Sequence, residues 1–92
     1  MMFTYDLSDV LRKRLRKLAK KDKVLAISIR NKITEIVSCD SVTISRYKNL
    51  KSPQNEFKRI HITKSHILLF RVDIASKFIL FVDILHWDEA YS

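Results

Sequence analysis

Phe57-Lys58-Arg59-Ile60-His61-Ile62, Leu69-Phe70-Arg71-Val72-Asp73 and Phe81-Val82-Asp83 follow one another at strand-length intervals, and His86-Trp87-Asp88-Glu89-Ala90-Tyr91 comes directly after them. Alternation along an extended chain sends neighbouring side chains to opposite faces of a sheet, so one face can collect the apolar set while the other presents cations and imidazoles. The spacing predicts three strands, near residues 58 to 62, 66 to 72 and 77 to 84, with connections short enough for an antiparallel meander. If Ile60 and Ile62 pack inward, Arg59 and His61 point to the open side. Arg71 joins them only if the face shared by Ile67, Leu69 and Arg71 is also open. Asp83 has the strand parity of Phe81 and Ile79, which places it across from Arg71 as an orienting carboxylate. A plain ion pair of Arg71 with Asp73 or Asp83 is an equal alternative.

Upstream, Leu7, Leu11, Leu15 and Leu18 recur at helical spacing with Val10 alongside, while Arg12, Lys13, Arg16, Lys17 and Lys20 take the other sides. Asp6 or Ser8 can cap this helix, and Asp9 suits the positive field of its first turn. A second helix is expected to start near Asp22 and to run through Leu25, Ile29, Ile33, Ile36 and Val37. The short link between the two implies an antiparallel pair. Met2 to Tyr5 can add a further strand. The expected fold class is therefore α+β, an N-terminal two-helix hairpin packed on an antiparallel sheet of three to four strands, forming one domain over residues 1–92. Between them, Asp40 to Glu56 is polar and basic, with Val42, Ile44, Tyr47 and Leu50 as anchors onto the body. The chain has no glycine, so turns must use residues such as Asn55, Asp73, Ser76 and Ser52-Pro53.

Composition limits the function. The formal net charge is +8 on 92 residues, a field that favours phosphate backbones or an acidic protein partner. The lone cysteine, Cys39, leaves no internal disulfide and no cysteine-rich zinc framework. Met1 to Tyr5 lacks a basic region followed by a long apolar one, and the longest apolar run, Phe78 to Val82, is too short to cross a bilayer. A cytoplasmic protein without a membrane role is expected. Without glycine a Gly-rich phosphate loop is impossible, and His61, His66 and His86 have no recognisable metal-ligand spacing. Neither a metal, an organic cofactor nor a small-molecule ligand is expected.

The candidate chemistry lies in the C-terminal third. An imidazole placed among cations favours its neutral, proton-accepting form, which makes His86, just beyond the last strand, a candidate general base. Its plain reading is an ordinary surface or packed histidine. His61 shares a strand face with Arg59, whereas His66 is read as structural. Trp87 and Tyr91 can stack on bases, or can cover the core edge and anchor the tail. The cations of the first helix are read first as a solvated face, with RNA contact second.

Taken together, the basic helical hairpin, the segment Arg46-Tyr47-Lys48-Asn49-Leu50-Lys51, the meander and the tail from His86 to Tyr91 resemble the RelE/ParE toxin superfamily. The likeness is greatest to the RelE-like branch, whose tail typically reads His-His-Asp-x-x-Tyr. It implies two N-terminal helices on an antiparallel sheet, cleavage of messenger RNA in the ribosomal A site without metal, and neutralisation by a small acidic antitoxin. Relatives in the ParE branch instead target DNA gyrase, and a catalytically degenerate RNA-binding member is a third possibility. Carried onto this chain, Lys58 and Arg59 match phosphate-contacting strand positions, His86 matches the tail histidine and Tyr91 its closing tyrosine. Ile67 stands where many relatives have arginine, and Trp87 where the branch has a second histidine or arginine. The implied reaction has His86 or Lys58 accept the 2′-hydroxyl proton, Arg59 and Arg71 stabilise charge on phosphorus, and Tyr91 hold the cleaved nucleotide. Arg46, Lys48, Lys51, His61 and Trp87 would bind the RNA.

Overall fold

The leucine spacing of the first helix works only if something turns the chain sharply into it, and Ser8 does this. In the computed structural model, which describes residues 3–47 and 57–86, Ser8 caps α1 (Asp9–Lys21) by accepting the Leu11 N–H at 3.1 Å. Its hydroxyl also donates to the Val82 carbonyl on a distant strand, so one residue ends a strand, starts a helix and ties both to the sheet. Asp9 lies in the first turn and Lys20 and Lys21 in the last, matching the helix dipole. Leu11 and Leu15 are buried, but Val10 is half exposed at 51% and takes no part in the apolar stripe.

Asp22 alone connects the helices. Its N–H closes α1 on the Leu18 carbonyl at 2.7 Å, and its carboxylate accepts the Leu25 N–H at 3.1 Å to open α2 (Lys23–Val37). Along α2, Leu25, Ile29, Ile33, Ile36 and Val37 are buried as their periodicity predicts. A one-turn helix, α3 (Ser41–Ile44), follows, capped by Asp40. Ile44 is fully buried and Tyr47 packs edge-on against Phe70 with ring centroids 5.6 Å apart. Val42 is 67% exposed and does not anchor this segment, because a four-residue helix buries only the side that faces the sheet.

The sheet contains β1 (Thr4–Leu7), β2 (Lys58–His61), β3 (His66–Asp73) and β4 (Phe78–His86) in the order β1-β4-β3-β2. The meander of β2, β3 and β4 is antiparallel, as the alternation implied. The N-terminal strand adds to β4 in parallel, so the four-strand sheet is mixed. Leu68, Phe70, Ile79, Phe81 and Ile84 face the helices in the main core, with Ile60, Ile62 and Val72 packed against it. The opposite face carries a smaller apolar cluster: Ile67 and Leu69 are buried among Phe57, Val82 and Leu85. The β3–β4 turn is made without glycine: Asp73 accepts the Ser76 N–H at 3.3 Å, and Lys77 takes the left-handed backbone at φ 52°.

Parity is interrupted in β4. Pairs from His66–His86 to Leu69–Asp83 obey one register and pairs from Phe70–Phe81 to Asp73–Phe78 another, so β4 holds one residue more than its partner. A bulge of this kind reverses the alternation beyond it. Ile79 and Phe81 face the helices before it, and Ile84 does so after it.

Candidate functional site

The bulge decides which functional side chains meet. Across the last pair of the β3–β4 ladder, His86 lies opposite His66, and their rings meet edge to face with centroids 5.6 Å apart. His86 is therefore the final residue of β4 and not a residue beyond the strand. His66 is oriented from the β2–β3 turn: Thr63 Oγ1 accepts its backbone N–H at 3.1 Å and lies 3.0 Å from its Nδ1. With Nδ1 engaged, Nε2 is the ring atom left for chemistry.

Arg14, Lys17 and Lys21 of α1 complete the surroundings. Together with Leu18, Ile84 and the two histidines they line a cleft of about 440 Å³. The spacing of Arg14, Lys17 and Lys21 puts them on one side of the helix, so what read as a solvated face is a wall of this cleft. That spacing was the available signal; only the sheet shows what the wall faces. Arg14 is also built into the strand: its guanidinium pairs with Asp83 at 3.3 Å and donates to the Ile84 carbonyl at 3.2 Å. Asp83 therefore does not orient Arg71. The bulge moves it out of the parity it would share with Phe81 and sets it opposite Leu69, on the face of Arg71, but its carboxylate is engaged by Arg14 and Arg71 stands opposite Leu80.

The remaining expected residues divide between two faces. Arg59 pairs with Leu69 and His61 with Ile67, which places both on the face away from the helices, Arg59 half-buried and His61 exposed. Arg71 shares that face, diagonally from Arg59, but stands five residues from His66 along β3, about 16 Å at the usual strand rise. Lys58 is on the helix side of β2 opposite Phe70, where its amine donates to the Tyr47 carbonyl at 3.1 Å. Burial pulls the pKa of this amine down. Among the described residues Arg59, Arg71 and His86 therefore do not line one pocket. The three histidines instead gather at one end of the sheet, His61 on one face and the His66–His86 pair on the other. Arg46 is exposed in the turn after α3. Lys48, Lys51, Trp87 and Tyr91 lie outside the described residues.

A second groove, of about 360 Å³, runs beside the edge strand β1. Tyr5, Leu7, Leu15 and Ile33 line it with Arg12, Arg16 and Arg30. No helix among the described residues is long and apolar enough to cross a membrane.

Two helices on one face of a small mixed sheet, with imidazoles and helix cations at one end, define a basic α+β protein. No protein-family model matches the chain. Over 90 residues it is 41% identical to a RelE4 toxin candidate of Methanocaldococcus jannaschii, covering 98% of this chain and 92% of that protein. Among solved structures, YafQ of Escherichia coli superposes with a TM-score of 0.74 at 14% identity, covering 98% of this chain and 99% of YafQ. The toxin–antitoxin complex RelBE of E. coli matches with a TM-score of 0.68 at 17% identity over 90% of this chain and 94% of that one. The chain belongs to the RelE/ParE toxin superfamily.

Proposed function

We propose that this protein is the toxin of a type II pair that cleaves messenger RNA on the ribosome at the histidine end of its sheet. The observation that carries the reading is the His66–His86 ring pair at the mouth of a cleft walled by Lys17 and Lys21. Cleavage of RNA without water needs one group to take a proton and another to give one. His86 accepts the proton of the 2′-hydroxyl as that oxygen bonds to the adjacent phosphorus. His66, held through Nδ1 by Thr63, gives a proton to the 5′-oxygen as its bond to phosphorus breaks. The products are a 2′,3′-cyclic phosphate and a free 5′-hydroxyl, with no net change of protons. Lys17 and Lys21 hold the phosphate, while Arg59 and His61 on the other face meet flanking backbone.

General acid and base help contributes typically about 10² to 10⁴ in rate, so the ribosome supplies most of the positioning and free RNA is a poor substrate. The partner is a small acidic antitoxin. The groove beside β1 combines an apolar floor with three arginines, features suited to an acidic amphipathic segment. RelBE of E. coli, similar in fold, was solved as a toxin–antitoxin complex.

The test is to map 5′ ends of messages in a translation reaction with the purified protein, its His86→Ala and His66→Ala variants, and a Lys17→Ala, Lys21→Ala double variant. New ends within codons, lost in the histidine variants, are expected. Intact messages with altered plasmid supercoiling would instead indicate a gyrase inhibitor, and salt-sensitive RNA binding alone a non-catalytic member.

A further inference from the structure

We infer that Arg14 is a positioning residue for His86, holding the end of β4 on the side where, among the described residues, β1 no longer flanks it. This inference rests on the assignment of His86 to the reaction. Over residues 78 to 81, β4 is flanked by β1 on one side and β3 on the other. At Ser8 the chain leaves the sheet to begin α1, and the bulge falls at the same level. From Val82 onward, β4 therefore loses its parallel neighbour just where its own ladder is interrupted.

The backbone groups of that edge are taken up by side chains. The Val82 carbonyl accepts from the Ser8 hydroxyl, and the Ile84 N–H donates to the Asp83 carboxylate at 2.8 Å. The Ile84 carbonyl accepts from Arg14 at 3.2 Å, and the same guanidinium reaches Asp83 at 3.3 Å. Arg14 thus takes the side of β4 that β1 has left, satisfying one carbonyl directly and one N–H through Asp83. His86 comes two residues later on the same strand, in the cleft that Arg14 itself lines. A planar guanidinium can address a carboxylate and a carbonyl at once, whereas an ammonium on a flexible stem acts as a point charge. If Arg14 served only as a positive charge for phosphate, lysine would replace it.

Two measurements on the full chain separate these roles. In solution NMR, the ring-to-ring contact of His66 and His86 is expected to weaken in Arg14→Ala, Arg14→Lys and Asp83→Ala. In ribosome-dependent cleavage the same three variants are expected to lose about 10²-fold in kcat, the order of loss that a small misplacement causes, with KM little changed. The Arg14→Ala, Asp83→Ala double variant should fall no further than either single one. Full activity and an unaltered ring contact in Arg14→Lys would overturn the inference. So would additive losses in the double variant. The NMR measurement needs no activity, so it decides the role of Arg14 even if cleavage by the unsubstituted protein fails to appear.

Discussion

Replacing Ile67 by alanine tests whether the face of the sheet away from the helices is a true second core. Ile67 is fully buried there, between His61 on β2 and Leu85 on β4. The substitution removes three buried carbons, about 2.4 kcal/mol at roughly 0.8 kcal/mol each. The cavity adds less than it would in the main core, because among the described residues Leu69 is the other buried member of this cluster and Phe57, Val82 and Leu85, being partly exposed, can settle inward. A loss of about 2.5 to 3 kcal/mol follows, in the lower half of the usual range for such truncations. At roughly 4–8 °C per kcal/mol for a domain of this size, Tm should fall by about 10–24 °C. Leu68→Ala, one residue away but facing the helices among Phe70, Phe81 and Ile84, should cost more, about 3–5 kcal/mol. Urea unfolding followed by circular dichroism gives both numbers. A loss below about 1 kcal/mol for Ile67→Ala, with unchanged m-value, would refute the reasoning and show a face that water already reaches.

Two further outcomes can be checked on the same preparations. Asp22→Ala removes the cap of α2 and should cost about 1 kcal/mol in urea unfolding, while Asp22→Asn, which keeps an acceptor for the Leu25 N–H, should be close to neutral. Burial, aided by the nearby Cys39, pushes the Tyr47 phenol up to about 12 from an ordinary 10.0. A raised pKa contributes stability that is complete below the unfolded value and disappears as pH climbs through the folded one, so unfolding free energy should decline between about pH 10 and 12. In Tyr47→Phe, which keeps the ring packed on Phe70, this decline should shrink. Equal alkaline slopes in the two proteins would show that Tyr47 does not titrate late.

The local structure is largely written in the residues themselves. Leu11 and Leu15 of α1, the stripe of α2 and the shared face of Ile60 and Ile62 follow from periods of 3.6 and 2, which depend only on neighbours in sequence, whereas Leu7 ends β1 and does not join the helical stripe, and Ser8, not Asp6, caps α1. The candidate site was legible in its parts and not in its assembly. His86 is recognisable as chemistry, yet the sequence sets it just beyond the last strand and among the cations Arg59 and Arg71, whereas β4 runs on to His86 and its extra residue turns that side chain opposite His66. An extra residue in a strand has no signature in a pattern of two, and Val82 looks like any other apolar strand residue. Of the cleft cations only Lys17 belongs to the helix face read from the sequence, and Arg14 and Lys21 acquire a role only once the sheet is placed against α1.

The amino-acid order alone determined that two amphipathic helices and three alternating strands would form, that the protein would be strongly basic, and that its imidazoles would lie near strand ends. Tertiary structure decided that β1 joins β4 in parallel, that the register shifts by one residue beside Asp83, and that His86 consequently meets His66 over α1. The division has a physical basis: helix and strand preferences and capping act over a few residues, whereas register between distant strands is set by the packing of the whole sheet against its helices.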